Sequence, residues 1–468
     1  MTGIATAHHD SVPLVAITGN VTQELIGRDS FQEVDIIGIS NPIVKHNYMV
    51  KTASDIPSVI RNAFIIAASG RPGPVVVDIP KDVLCSYAEY CPQPLYLPRI
   101  PPRPLDEEID EARDIIARAE RPMILAGGGT VSGNASQALC DFAQRLQAPV
   151  CTTLPGISAV PWDFPLRLGL VGLHGTYTAS VAVHTCDLLI AIGTRFSDRV
   201  VHDFNSFVDN AKILHIDIDE SEISKNVRAD FSLVGDAEEI LPRLSDGLEA
   251  VSERVWTQKL FNIRETHPLP ESDSFSPDAR EIIRTACEMC AQERRGDYII
   301  VTDVGQHQLL TAQYGVFLSP RSFLSSCGLG TMGFGLGAAI GAQLGCPQKR
   351  VVLITGDGGF HMNIGELAVA VSLGLPLVVI VMNNGTLGMV YQWQLAGFGH
   401  DSYTRLDRRT DFALAAQAFG AIGLRIQKSE DVVPVLAQAF SVSGSQSLPA
   451  VVECGISSEQ LVEKLNLH

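Results

Sequence analysis

The sequence predicts an α/β fold of three consecutive parallel-sheet domains, the first of them incomplete. Three observations carry this reading. Short apolar, β-branched runs alternate with longer helical patterns along the whole chain, as parallel strands covered by helices on both faces require. Several runs, among them YIIVTD (298–303), VVLITGD (351–357) and LVVIVMN (377–383), end in Asp or Asn. Open α/β sheets bind ligands at the carboxyl ends of their strands. Two breaker-rich stretches interrupt the alternation: CPQPLYLPRIPPRPL (91–105), with six prolines, and ETHPLPESDSFSPD (265–278). Such stretches suit domain crossings and divide the chain into about 1–90, 104–250 and 277–468.

The first block holds the strand patterns LVAIT (14–18) and PVVVDI (74–79). It enters a helix-then-strand pattern with no preamble, like a chain cut in mid-domain. Its opening, MTGIATAHHDSVPLVAITGN, lacks the basic n-region and long apolar stretch of a signal peptide. The second block holds MILAG (123–127), LLIAIG (188–193) and ILHIDID (213–219), and the third closes on AVVEC (450–454). The run LPLVVIVM (375–382) is too short to span a bilayer and reads as a fully buried parallel strand. No membrane association is expected.

Composition narrows the function. Hydrophobic residues make up 46% and charged residues 19%, which supplies cores and excludes large disordered regions. The net charge is −17 with no basic block, which argues against a nucleic-acid partner. Ten cysteines are scattered without a framework. The closest pair, Cys287 and Cys290, has no second pair or histidines at zinc-ligand spacing and sits in a helical pattern. Reduced thiols fit a cytoplasmic protein.

The chemistry concentrates in the third block. GDGGFHMNIGEL (356–367) follows one buried strand and MNNGTLGMV (382–390) follows the next. A carboxylate from Asp357, an amide oxygen from Asn384 and a backbone carbonyl make a hard-oxygen site for a small divalent cation. Mg²⁺ uses few protein ligands and completes its shell with phosphate oxygens and water. Gly356, Gly358 and Gly359 let the backbone approach a diphosphate closely. Upstream, GLGTMG (328–333) matches G-x-G-x-x-G. A nicotinamide reading of it needs a strand directly before it and a free acidic residue about 20 positions on. The candidate, Asp357, is already claimed by GDG.

GDG followed by NN resembles the thiamine-diphosphate motif of the decarboxylase and carboligase superfamily. The order of motifs along nearly the whole chain is similar to the acetolactate synthase catalytic subunits. That resemblance implies Mg²⁺ held by Asp357, Asn384 and the carbonyl of Thr386. It implies a cofactor pocket lined by Val304, Gly305, Gln306 and His307 of VGQHQ, and by Gly328, Gly330, Thr331 and Met332. Met389 would wedge the cofactor into a V shape, and Trp393 would shape the substrate channel. In the first block, Phe31 and Gln32 would border the substrate pocket and Lys81 its entrance. Arg71 would reach a flavin, although it reads equally as a turn residue before Pro72.

In the second block the resemblance implies a structural FAD. Its residues would be Gly127, Gly128, Gly129, Thr153, Leu154, His174, Gly193, Thr194, Arg195, Arg199, Asp217, Ile218 and Asp236. Glycines before a helix suit a pyrophosphate, and an acidic strand end suits ribose hydroxyls. The resemblance also implies 2-oxo-acid substrates. Pyruvate would be decarboxylated and its two-carbon unit joined to a second 2-oxo acid. It further implies a homodimer or homotetramer, and a small regulatory subunit as a possible partner.

Some positions depart from the family. Cys327 stands where glycine is usual, Ser197 where aspartate is, and Asn20 where glutamine is. The closing VVECGISSEQLVEKLNLH lacks the usual proline-rich segment. No glutamate of this sequence lies in the R-H-E-Q-type motif that activates the cofactor; Glu24 and Glu33 have other contexts. The expectation is therefore a carboligase that is nearly inactive as given. The alternatives are another thiamine-diphosphate lyase and a non-catalytic cofactor-binding paralogue.

Overall fold

A computed structural model describes residues 1–90, 92, 102–201, 207–208, 211–271, 275–294, 296–406 and 409–462. Most of the proline-rich stretch 91–105 lies outside them. The chain has three parallel sheets, the α/β architecture the alternation predicts. Contacts divide it into two compact units, Met1–Pro102 with Ser326–Thr331, and Arg103–Ser325 with Met332–His468.

The smaller unit carries β1 (Leu14–Asn20), β2 (His46–Met49) and β3 (Pro74–Pro80), in the order β1-β3-β2. The central strand is buried throughout, and Val75, Val77 and Ile79 pack against the helix Ile56–Ala68. Asp78, 1% exposed, accepts from the Thr18 hydroxyl at 2.7 Å and the Asn20 amide at 2.6 Å. Asn20 thus satisfies a buried carboxylate.

The larger unit holds two six-stranded sheets. The first contains β4 (Pro122–Ala126), β5 (Val150–Thr152), β6 (Arg167–Leu170), β7 (Leu188–Ile192), β8 (Lys212–Asp217) and β9 (Phe231–Val234), ordered β6-β5-β4-β7-β8-β9. Alternate residues feed two cores: Ile124, Ala126, Ile190 and Ile192 face one, and Met123, Leu125, Leu189 and Ala191 the other, as a period of two dictates. The second contains β10 (Tyr298–Thr302), β11 (Phe323–Leu324), β12 (Arg350–Gly356), β13 (Val378–Asn383), β14 (Ile422–Ile426) and β15 (Ala450–Gly455), ordered β11-β10-β12-β13-β15-β14. In both sheets the chain turns back from one edge to build the other side, between β4 and β7 and between β10 and β12; in the second sheet β15 also inserts between β13 and the edge strand β14. Such switch points open a crevice at the carboxyl ends of the strands.

The nine apolar runs located β1, β3, β4, β7, β8, β10, β12, β13 and β15. The strands β2, β6, β9, β11 and β14 carried no such run and lie at sheet edges; the three-residue β5 also carried none, although it lies inside its sheet. No helix among the described residues is long and apolar enough to cross a membrane. The described cysteines are free thiols. Cys287 and Cys290 are buried in the helix Ala279–Arg294, and burial pushes the Cys287 thiol up to about 12.

Candidate active site

The switch point of the third sheet builds one cavity from three strand ends. Its walls include Val304, Gly305, Gln306 and His307 after β10, Gly356 at the end of β12 with Asp357, Gly358 and Gly359 after it, and Asn384, Thr386 and Met389 after β13, together with Met332. These residues, 85 positions apart at the extremes of the chain segment 304–389, meet because β12 pairs with both β10 and β13. Register sets Gly356 opposite Met382, so the turns after both strands emerge side by side.

Asp357, 2% exposed, opens the helix Asp357–Asn363. Its carboxylate accepts from the N–H of Gly358 at 2.9 Å and of Gly385 at 2.8 Å. No ion pair to it exists among the described residues. Burial raises its pKa, and the two N–H bonds oppose that rise. Asn384 accepts from the Thr386 N–H at 2.9 Å. The Thr386 hydroxyl and His307 Nε2 are buried without a hydrogen-bond partner. Burial pushes the His307 pKa down, with the Asp303 carboxylate opposing, so the imidazole is neutral at physiological pH.

The glycines here are close approaches. A Cβ on Gly388 would lie 2.1 Å from Gln306 Oε1, and one on Gly358 would lie 2.7 Å from a Leu387 methyl. Gln306 in turn donates to Gln392 at 2.9 Å and accepts from the Asn384 amide at 3.4 Å.

Sequence reasoning missed several members. Asp303, 1% exposed, accepts from the N–H groups of Val304 at 2.7 Å, Gly333 at 3.0 Å and Gly335 at 2.9 Å. It ties the end of β10 to the start of the helix Phe334–Gly345. Its signal was the Asp closing YIIVTD. Asp303 is not itself among the cavity walls, whereas Leu387, Gly388, Ile456 and Gln460 are. Nothing in GISSEQ marked Ile456 or Gln460 beforehand.

The remaining expected residues sit within their own units. Trp393 is 40% exposed on the helix Gly388–Phe398 and is not among the cavity walls; the Arg199 guanidinium sits 6.0 Å from its ring centroid. Phe31, Gln32, Arg71 and Lys81 belong to the smaller unit, as do Gly328, Gly330 and Thr331. There Phe31 is 88% exposed, Gln32 has φ 63°, and Lys81 opens the helix Lys81–Leu84. Arg71 donates to the Ser11 hydroxyl at 2.9 Å, and Gly328 N–H donates to Asp10 at 2.7 Å. Thr331 shares a 2.8 Å hydroxyl contact with Thr6.

A second convergence lies at the other switch point. Gly127 N–H donates to the Ile192 carbonyl at 2.9 Å and Gly129 N–H to Gly193 at 3.0 Å. Thr153 N–H donates to Ala126 at 3.0 Å, and Gly193 N–H to Ile216 at 2.8 Å. A Cβ on Gly127 would lie 2.1 Å from the Gly193 carbonyl, and Gly193 itself has φ 56°. Gly128 opens a short helix, Leu154 opens a 3₁₀ turn and Thr194 is buried. Asp217 ends β8 and accepts from the Asp219 N–H at 2.9 Å, with Ile218 between them. Asp236 caps the helix Ala237–Asp246. Arg195 accepts from the Asn226 amide through its carbonyl, and the His174 carbonyl accepts from Gln313 at 3.0 Å. The Thr153 hydroxyl is buried without a partner.

Comparisons with known proteins agree with this geometry. The profile described as "Thiamine pyrophosphate enzyme, central domain" matches residues 109–244. That described as "Thiamine pyrophosphate enzyme, C-terminal TPP binding domain" matches residues 303–454. A probable acetolactate synthase large subunit of Methanocaldococcus jannaschii is 42% identical over 468 residues, covering 97% of this chain and 79% of the relative. An acetolactate synthase of Mycobacterium bovis is 42% identical over 481 residues, covering 99% and 76%. The acetolactate synthase large subunit of Haemophilus influenzae is 40% identical over 456 residues, covering 94% and 79%. The chain belongs to the acetolactate synthase large-subunit family of thiamine-diphosphate-dependent carboligases.

Proposed function

We propose that the chain carries the machinery of a carboligase that joins pyruvate to a second 2-oxo acid as a 2-acetohydroxy acid, slowly in the chain as given, with Mg²⁺ at the strand ends of the third sheet and FAD at those of the central one. The observation that carries this reading is the meeting of the buried residues Asp357, Asn384 and Thr386, from the ends of β12 and β13, in the wall of one cavity. The donor set fits a small hard cation: one carboxylate and one amide oxygen, with the Thr386 carbonyl beside them. A buried carboxylate without an ion pair is stabilised by a bound divalent cation, which also neutralises a diphosphate.

Thiamine diphosphate supplies the electron sink for decarboxylation; orientation and electrostatics come from the protein. Gly358 and Gly388 let Leu387 and Gln306 pack directly on the backbone of the two turns, Met389 offers an apolar wall, and the neutral His307 can donate or accept without adding charge. For FAD the support is the pair Gly127 and Gly193 at the switch point, the unpartnered Thr153 hydroxyl and the acidic end of β8. Phe31, Gln32, Lys81 and Trp393 are proposed to serve the substrate, and Arg71 the flavin.

The proposal extends to three domains, about 1–90, 104–250 and 277–468, in a cytoplasmic homo-oligomer. A small regulatory subunit is a further partner, since several relatives are named large subunits. The test is acetohydroxy-acid formation from pyruvate with thiamine diphosphate, Mg²⁺ and FAD present. Product formation that needs all three supports the reading. Turnover to an aldehyde instead, with no flavin dependence, would favour a simple 2-oxo-acid decarboxylase.

A further inference from the structure

The two asparagines of the MNNG turn have different surroundings. Asn384 lines the cavity. Asn383, the last residue of β13, is 2% exposed and is not among the cavity walls. Its amide donates to Glu453 Oε1 at 2.8 Å and to the Thr410 carbonyl at 3.2 Å. Its own Oδ1 is buried without a partner. Its orientation therefore depends on the acceptors that take its two protons.

Glu453 lies on β15, opposite Val381 of β13, and Asn383 is opposite Gly455. With a period of two along each strand, Glu453 and Asn383 share one face of the sheet, diagonally disposed. Glu453 is 8% exposed, and its other oxygen accepts from the Ala413 N–H and the Arg425 guanidinium, each at 3.3 Å. Arg425 also pairs with Asp411. One carboxylate thus joins β15, β14, the helix Phe412–Ala418 and the end of β13.

We infer that Glu453 is a positioning residue for the divalent cation: by holding the Asn383 amide it fixes the backbone from which Asn384 and Thr386 present their oxygens. This rests on the metal site proposed above. Mg²⁺ demands near-ideal octahedral geometry, and groups that orient metal ligands typically change affinity by about 10–100-fold when removed. A carboxylate serving stability alone would leave metal affinity unchanged.

The experiment is an electron paramagnetic resonance titration of Mn²⁺ into the full chain with saturating thiamine diphosphate, with melting temperature recorded alongside. Glu453→Ala is expected to weaken Mn²⁺ binding on the order of 10–100-fold. Glu453→Gln is expected to stay near the unsubstituted protein, because an amide oxygen still accepts from Asn383. Arg425→Gln is expected to lower the melting temperature while leaving Mn²⁺ affinity intact. Should Glu453→Ala fail to fold, Asn383→Ala removes the other partner and is expected to show the same loss. Undiminished affinity in Glu453→Ala or Asn383→Ala overturns the inference, as does an equal loss in Arg425→Gln. Absence of Mn²⁺ binding by the unsubstituted protein instead overturns the metal site itself.

Discussion

The Asp357 carboxylate accepts the Gly385 N–H at 2.8 Å, so the turn after β12 is hydrogen-bonded to the turn after β13. GDG and NNG are therefore one structural object. Their 27-residue separation is the length needed to leave one strand, cross a helix and return by the next. A parallel sheet imposes such a crossover, and the spacing carries more information than either tripeptide.

Asp303 is a second buried carboxylate, standing behind the cavity walls at Val304 and Met332. Asp303→Asn presents an amide donor to backbone donors at Gly333 and Gly335. Hydrogen bonds to charged groups contribute about 1.5–3 kcal/mol each, so stability should fall by roughly that much or more. Thiamine-diphosphate affinity should fall with it, because the turn at Met332 and Gly333 loses its anchor. Chemical denaturation and a binding titration measure the two. A variant with unchanged stability would remove Asp303 from the account.

The legible part of this protein was its interior. Fully buried strands such as β12 and β13 must be apolar on both faces, and their runs are unmistakable. Edge strands such as HNYM, FSLV and IGLRI are only partly buried, so their sequences carry no comparable constraint. The site followed the same division. Residues at the ends of β12 and β13 were identified from motif chemistry. Ile456 and Gln460 reach the cavity through tertiary packing of an irregular segment, which no local pattern encodes. Trp393 shows the converse: a recognisable tryptophan on the right helix that is not among the walls of this cavity.

Acid should destabilise the protein through its buried histidines. His215 is fully buried with Nδ1 unpartnered, and burial lowers its pKa from 6.5; His307 is lowered by the same cause. For both, the folded pKa lies below the unfolded value. The unfolded chain then binds more protons as pH falls below about 6.5, and stability declines there. Each group contributes at most about 1.4 kcal/mol per pH unit within its window. Melting temperature should be flat above pH 7 in this respect and fall below 6.5, and His215→Phe should shallow the fall. An unchanged slope in that variant would contradict the assignment.

Flavin content should depend on the glycine pair at the central switch point. In Gly127→Ala the new methyl lies 2.1 Å from the Gly193 carbonyl, a backbone atom that cannot step aside. Purified Gly127→Ala should release little or no FAD on denaturation, whereas the unsubstituted protein should show flavin absorbance. Gly444→Ala, with nothing within 4 Å of its new methyl, is the matched control and should keep its flavin. Equal flavin in both variants would remove the central site.

The central claim, that Asp357 and its neighbours hold thiamine diphosphate through a divalent cation, is tested most directly by calorimetric titration of the cofactor with and without Mg²⁺. Asp357→Asn keeps the shape of the side chain while removing its charge. The unsubstituted protein should bind tightly only with Mg²⁺ present, and Asp357→Asn should lose that dependence with an affinity loss of at least about tenfold, as expected for a charged bond of 1.5 kcal/mol or more. Equal affinity in the two proteins, with and without Mg²⁺, would contradict the account.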